Sequence, residues 1–326
     1  MKAVIITRPG GTEVLELEDR PLPQLAAGEI RVRVRASALN RADILQRQGN
    51  YPVPPGAPAD IAGIEYAGEV DALGESVMLW KPGDRVMGIV GGGAHAEYVV
   101  LNEREAIRAP KAMSWENAAA IPEAFLTAYD ALFARLNLRP GETLLIHAVG
   151  SGVGTAGLQL AKTIDARVIG TARSAGKLER ANQLGLDAAV DASRGDWVAE
   201  VQKIAGTDAV SAVLDLVGGN YLDGNLRVLA TRGRIVIVGL TAGAIAPMNM
   251  GILLRKRATM IGTVLRARPL EEKTALAREF SDRIVPFFES GRLKPIVDRV
   301  FSFAEISAAH QLMESNASFG KIVLVW

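Results

Sequence analysis

The feature that most limits what this chain can fold into lies at its middle. The apolar run Leu144-Leu145-Ile146-His147-Ala148 leads into Val149-Gly150-Ser151-Gly152-Val153-Gly154, and then into the helix-forming stretch Thr155-Ala156-Gly157-Leu158-Gln159-Leu160-Ala161-Lys162. A strand, a glycine-rich turn and a helix in that order bring backbone N–H groups and the positive helix end up to a pyrophosphate. Glycine is needed where a Cβ would block the backbone angle or the phosphate. The literal G-x-G-x-x-G falls on Gly152, Gly154 and Gly157, well into the turn, whereas Ala148-x-x-Ser151-x-x-Gly154 follows the strand directly and is the better register. Ser151, Gly152, Val153 and Gly154 are therefore candidate cofactor-binding residues; the alternative is a tight strand–helix turn without a ligand.

The surroundings of this turn set the fold class. Strands are predicted at 143–147, 167–171, 188–191, 212–216, 234–238 and 259–262, with helix-period stretches between several of them, as at 158–164 and 176–184. That rhythm predicts a doubly wound parallel sheet covered by helices, an α/β architecture. Before Ser114 the texture is β-rich. Residues 29–36 alternate charged and apolar, and 63–71, 84–89 and 97–101 are further strand candidates separated by Gly/Pro turns, which predicts a small barrel or folded sheet. Two helical stretches, 270–289 and 304–314, precede a closing strand at 322–325. A chain of 326 residues suits two domains.

The second strand of the parallel sheet addresses which dinucleotide is bound. An NAD site places Asp or Glu at its end, to bind the ribose 2′-hydroxyl. Here the strand ends in Ala172-Arg173-Ser174, with Lys177 one helical turn further. A planar guanidinium fork and a compact ammonium are what a 2′-phosphate needs, so the expected cofactor is NADPH, bound through Arg173 and Lys177. The competing reading is that both are solvated surface charges.

Composition removes other classes. Lys and Arg total 37 against 36 Asp and Glu, for a net charge of +1, so no global basic field points to a nucleic-acid or membrane partner. The chain has no Cys and only three His, His95, His147 and His310, which excludes disulfides, thiolate nucleophiles and Cys-held zinc. All three His are expected to pack rather than catalyse. No signal-peptide pattern and no bilayer-length apolar run is present, so cytoplasmic residence is expected.

Motifs along the whole chain resemble one family. They are Asn40-Arg41-Ala42-Asp43, Gly63-Ile64-Glu65-Tyr66-Ala67-Gly68, Lys81-Pro82-Gly83-Asp84-Arg85-Val86, Ala119-Ala120-Ile121-Pro122, Leu126-Thr127-Ala128-Tyr129, the turn at 151–154, and Phe319-Gly320-Lys321-Ile322-Val323. Together they resemble the zinc-free, zeta-crystallin-like quinone oxidoreductases of the medium-chain dehydrogenase/reductase superfamily. Arg47-Gln48-Gly49-Asn50-Tyr51 is similar to the tumour-suppressor-inducible type. The resemblance implies a GroES-like catalytic domain at 1–121, a Rossmann NADPH-binding domain at 122–265, and a return segment at 266–326 that completes the first, with the active site in the cleft. It also implies that Asn40, Ile64 and Glu123 stand where zinc-dependent relatives carry Cys, His and Cys. Ile has no donor atom and Asn plus Glu is too small a ligand set, so no metal is expected.

Without a Lewis acid, alcohol oxidation is disfavoured, and an acceptor that is already electrophilic fits best. The expected reaction is NADPH-dependent reduction of a quinone by direct hydride transfer. The alternatives are an enoyl or alkenal double-bond reductase on the same scaffold, or a non-catalytic NADPH-binding protein. The resemblance places Asn40, Tyr51 and Thr127 around the nicotinamide, with Asn40 and Tyr51 as the catalytic candidates. Tyr51, on a proline-stiffened loop, either stacks on or donates to a quinone, or merely packs; Asn40 either donates its amide or shapes a turn before a helix. Asp43 is expected to support other residues. Gly239, Leu240, Val264, Leu265 and Arg266 follow strand ends, where α/β sheets bind ligands, and the resemblance assigns them to the nicotinamide half. Arg266 reaches cofactor, acceptor or an interdomain surface, and Lys321 resembles a cofactor contact. The family implies a homodimer through Rossmann edge strands, drawn from 234–263 with Met248, Met250 and Ile252. One departure stands out: Asp191-Ala192-Ser193 occupies the place of an Asn-Tyr pair whose Tyr helps hold the 2′-phosphate in quinone reductases.

Overall fold

Alternation in the strand Glu29–Ala38 buries Ile30, Val32, Val34 and Ala36, while Arg31 and Arg35 turn the other way and pair with Asp71 and Glu69 on the neighbouring strand. This period of two builds the first of two compact units. In the computed structural model, which describes residues 1–326, one unit comprises Met1–Leu126 with Leu265–Trp326, and the other Thr127–Val264.

The first unit begins with β1 (Lys2–Ile6) and β2 (Leu15–Asp19), an antiparallel pair, and continues with β3 (Glu29–Ala38), α1 (Arg41–Arg47), β4 (Glu65–Leu73), β5 (Arg85–Ile89), β6 (Tyr98–Asn102), β7 (Ile107–Arg108) and α2 (Trp115–Ala119). The helix α3 (Pro122–Tyr129) contains the first boundary between units and runs on as a π-helical turn, Asp130–Arg135. The sequence places the exchanges at 121/122 and 265/266, whereas contacts divide the chain at 126/127 and 264/265. The start of α3 stays with the first unit because Phe125 packs edge-on against Phe288, with ring centroids 4.8 Å apart.

The second unit is the glycine-turn unit. It contains β8 (Thr143–Ile146), α4 (Gly152–Lys162), β9 (Arg167–Ala172), α5 (Ala175–Gln183), β10 (Ala188–Asp191), α6 (Trp197–Ala205), β11 (Val210–Asp215), α7 (Tyr221–Val228), β12 (Leu229–Ile237), α8 (Met250–Lys256) and β13 (Thr259–Gly262). The six strands are all parallel in the order β10-β9-β8-β11-β12-β13, the doubly wound arrangement whose strand order reverses beside β8. Its core gathers Leu145, Ile169, Val190, Val213, Leu226 and Ile235 among other fully buried residues.

The chain then returns to the first unit with α9 (Leu270–Arg283), α10 (Val285–Glu289), β14 (Val297–Ser302), α11 (Ile306–Glu314) and β15 (Lys321–Val325). The single helix expected over 270–289 is two: Pro286 cannot donate within a helix, and the chain breaks at Ile284, where φ is −112°. β15 lies antiparallel to β3 and parallel to β14, giving a sheet in the order β14-β15-β3-β4-β5-β7, with β6 also paired to β3. The last strand therefore closes the sheet that the N-terminal segment opens. No helix is long and apolar enough to cross a membrane.

Candidate active site

In the second unit, the site grows from the end of β8. Ala148 adopts a left-handed conformation, φ 51°, that turns the chain out of the strand. Ser151 is the N-cap of α4, its Oγ accepting the Gly154 N–H at 3.1 Å. A Cβ on Gly154 would stand 2.5 Å from Ala148 O, so this glycine holds the turn closed. The N–H groups of Gly152 and Val153, in the first turn of an eleven-residue helix, have no intrahelical acceptor. A crowded turn with free donors at a positive helix end fits a dinucleotide pyrophosphate.

At the end of β9, Arg173 is exposed and Lys177 half-buried in the first turn of α5. No acid follows Ala172 in the chain, yet one lies beside it: Asp191, the last residue of β10, is in register with Ala172. Its carboxylate accepts from the Ser193 hydroxyl and N–H, pairs with Arg194 at 3.2 Å, and is held below the usual carboxylate range by those Ser193 hydrogen bonds. In the sequence Asp191 stands out only as a departure from the Asn-Tyr pair; its place opposite Ala172 is a matter of strand register.

A buried polar chain fixes the next turn. Asp215 accepts the N–H groups of Val217 and Gly218, each at 2.8 Å, and the Asn225 amide at 2.8 Å. Asn225 Oδ1 lies 2.6 Å from His147 Nε2, and His147 Nδ1 lies 2.8 Å from Thr171 Oγ1. His147 is thus a packed, bonded core residue, with burial pushing its imidazole down and toward the neutral form. Gly239 lies against this turn, where a Cβ would stand 2.5 Å from Leu216 O, and Leu240 and Val264 are exposed beyond strand ends. Thr127 is buried on α3.

In the first unit, an ion-pair knot gathers around Asn40, one of the expected metal-ligand positions. Lys321 Nζ donates to Leu39 O (2.8 Å), Asn40 Oδ1 (2.7 Å) and Glu65 Oε1 (2.6 Å). The Asn40 amide donates to Ala38 O (3.1 Å) and Glu65 Oε1 (2.8 Å), and Glu65 Oε2 accepts the Glu123 N–H at 2.8 Å. Burial pushes the Glu65 carboxyl up, and Lys321 pulls it part of the way back. The expected donation from Asn40 to a substrate or cofactor therefore meets an amide whose two hydrogens are already committed. Lys321, expected at the cofactor, has all three ammonium hydrogens bonded within this unit. Asp43 supports the same knot, accepting the Asn40 N–H at 2.7 Å and the Gly63 N–H at 3.0 Å. Ile64 is buried and offers no donor, and no group of three or more His, Asp or Glu side chains is arranged to hold a metal.

Beside the knot, α1 projects Gln46 toward Arg266. Arg266 is only 4% exposed; Nε donates to Gly91 O and Nη2 to Gln46 Oε1, both at 2.7 Å, and the Tyr51 ring centroid lies 5.0 Å from Cζ. Burial raises the Tyr51 hydroxyl, with Glu123 adding to the rise and Arg266 opposing it. Leu265 is buried next to Arg266 and, like it, belongs to the first unit. Of the remaining histidines, His95 packs edge-on to Phe303 with ring centroids 5.9 Å apart, and His310 Nδ1 lies 3.2 Å from Arg47 Nη1.

On α8 and in the loop before it, Met250, Leu254 and Ile245 are exposed at 66, 77 and 94%. Met248 and Ile252, expected among the outward residues, pack instead on the core of their own unit.

Comparison with known proteins follows the same division. Residues 26–111 match the family model of the alcohol dehydrogenase GroES-like domain, and residues 152–282 that of the zinc-binding dehydrogenases. The synaptic vesicle membrane protein VAT-1 homolog of Mus musculus is 33% identical over 342 residues, covering 100% of this chain and 84% of that protein. A quinone oxidoreductase of Pseudomonas aeruginosa is 34% identical over 321 residues, covering 97% of each. The crystal structure of Escherichia coli quinone oxidoreductase complexed with NADPH superposes with a TM-score of 0.88 at 30% identity, covering 100% of both chains.

Proposed function

Because the chain belongs to the medium-chain dehydrogenases/reductases, in their zinc-free, quinone-oxidoreductase-like group, we propose that it reduces quinones with NADPH, without a metal. The observation that carries this reading is the knot of Asn40, Glu65 and Lys321: Asn40, at one of the family's metal positions, is spent on Glu65 and Lys321, and Ile64, at another, has no donor atom, so an acceptor that is electrophilic of its own accord fits best. A quinone is such an acceptor. NADPH, when bound, supplies the hydride.

The protein's own part is to bind, orient and exclude water. Gly152 and Val153 offer N–H groups to the pyrophosphate, Ser151 keeps its hydroxyl hydrogen to give, and Gly154 lets the backbone close. Arg173 and Lys177 supply the cationic end for a 2′-phosphate, with Asp191 one strand away as the opposing charge. Thr127, Gly239, Leu240 and Val264 serve the nicotinamide half. Tyr51 covers the acceptor end of the first unit, and Asn40 acts there by holding Glu65 and Lys321 in place. Lys321 and Asp43 are positioning residues of the same kind. The edge strand β13, with Thr259, Met260 and Gly262 exposed, supports a homodimer through that strand.

The test is NADPH oxidation by the purified protein with 9,10-phenanthrenequinone, 1,4-benzoquinone and trans-2-hexenal, with NADH in parallel. Quinone-dependent oxidation of NADPH, much slower with NADH, is expected. Turnover of the alkenal alone reassigns the protein as a double-bond reductase, and silence with every acceptor refutes the quinone reading.

A further inference from the structure

We propose that Arg266 is the donor that holds the acceptor's oxygen as negative charge develops on it, and that Tyr51 covers this donor when no acceptor is bound. The proposal deepens the quinone-reductase reading and rests on it. Arg266 is a cation with two of its three nitrogens anchored, Nε on Gly91 O and Nη2 on Gln46 Oε1. The third, Nη1, is buried and has no hydrogen-bond partner. A charged donor left bare inside a protein is costly and calls for an explanation, of which a ligand that completes it is one. The face of the Tyr51 ring, 5.0 Å from Cζ, gives the guanidinium a cation–π contact that an oxyanion outbids.

The cover is built to move as a piece. Tyr51 lies on the segment between Gly49 and Gly56, both at positive φ, 76° and 86°. The intervening Pro52, Pro54 and Pro55 stiffen it. A Cβ on Gly56 would meet nothing within 4 Å, so the chain has open space beside it at that point. The seat beneath is rigid by comparison: Gln46 comes from α1, whose N-cap is Asn40 of the Glu65–Lys321 knot, and the Gln46 amide is itself tied to Ala59 O at 3.3 Å.

The chemistry balances without a proton from Arg266. A quinone that accepts hydride gains two electrons and one hydrogen, becoming the hydroquinone monoanion, while the oxidised nicotinamide leaves as a cation. Solvent supplies the second hydrogen, as a proton. Nη1–H donates a hydrogen bond to the oxygen on which the charge accumulates, and Arg266 stays protonated throughout. A donor aimed at developing charge in a dry site stabilises the transition state more than the ground state.

The experiment compares wild type, Arg266→Met and Arg266→Lys in three readouts: kcat/KM for 9,10-phenanthrenequinone, Kd for NADPH, and Kd for 4-nitrophenolate, an unreactive aryl oxyanion. Arg266→Met is expected to lower kcat/KM by about 10²- to 10³-fold, the usual loss for one oxyanion donor. NADPH affinity should stay within about twofold, and nitrophenolate affinity should fall about tenfold or more, the loss of one charge-assisted hydrogen bond. Lysine, which keeps the charge but not the fork, should recover part of both losses, and it reads the site if the methionine variant does not fold. Loss of NADPH affinity with nitrophenolate binding intact would make Arg266 a cofactor contact and overturn the proposal. A wild type that reduces quinones but binds nitrophenolate equally with and without Arg266 overturns this proposal alone. A wild type that reduces no quinone, yet loses nitrophenolate with Arg266, refutes the quinone reading and leaves the oxyanion site standing.

Discussion

Replacing Lys321 by methionine removes the centre of the knot. The lost ammonium leaves Glu65, with no exposed surface, as a carboxylate stripped of its counter-charge. It also leaves Leu39 O and Asn40 Oδ1 without the donor they accept from at 2.8 and 2.7 Å. Removing one member of a buried pair costs about 3–5 kcal/mol, because the other charge remains uncompensated. At about 2–4 °C per kcal/mol for a unit of this size, the melting temperature should fall by about 6–20 °C. The loss should depend on pH in a definite direction. Burial already raises the folded pKa of Glu65 above its unfolded value, and without Lys321 it rises further. The charged form is the costly one, so the variant's deficit is smallest at pH 5, where the protonated acid is accessible, and grows toward pH 8 as the carboxylate is forced to ionise. The double variant Lys321→Met with Glu65→Gln, which removes both charges, should recover part of the stability. Thermal melts of the four proteins of this cycle at both pH values measure it. A loss that is small, the same at both pH values and unrelieved in the double variant would refute the reasoning.

Three other outcomes follow from the geometry. Gly154→Ala should weaken NADPH binding severely, since its Cβ cannot share space with Ala148 O 2.5 Å away without opening the turn; fluorescence titration of the reduced cofactor measures this. Arg173→Glu should reverse the order of NADPH and NADH, by replacing attraction for a 2′-phosphate with repulsion; Kd values for both cofactors decide it, and an unchanged ratio would return Arg173 to the status of a surface charge. Burial holds the folded pKa values of His95, His147 and His310 below their unfolded values, so stability present above the unfolded pKa is lost as pH falls through the folded pKa. The melting temperature should therefore decline as pH is lowered from 7 to 5, and His95→Leu, which removes two ring nitrogens that have no partner, should flatten that decline.

What the sequence discloses here is what repeats or what excludes. The period of two in Glu29–Ala38, the glycine turn after β8 and the lack of an acid after Ala172 are all local, and each can be read without knowing what folds beside it. The break at Ile284 is also local, but its signal, Pro286, is easily absorbed into a long helical pattern. The site is different because its decisive contacts are long-range. Asn40 meets Lys321 across 281 positions, and Arg266 meets Gln46 across 220. Nothing near Asn40 announces that its amide is occupied, and nothing near Lys321 says that it points into the knot rather than at a cofactor. Asp191 comes to lie opposite Ala172 by the register of two parallel strands, which the chain order alone does not give. Met248 and Ile252 have the same hydrophobic character as Met250 and Leu254, and only the packing of α8 against the sheet separates inward from outward.

The proposed reaction is hydride transfer from NADPH to a quinone with no metal taking part. Its most direct measurement is the rate of quinone-dependent oxidation of NADPH by protein dialysed against a strong chelator, with deuterium at the transferred position of the nicotinamide compared with hydrogen. An undiminished rate after chelation, one NADPH consumed per quinone, and slower transfer of deuterium are expected. A rate that disappears on chelation and returns with zinc would contradict it.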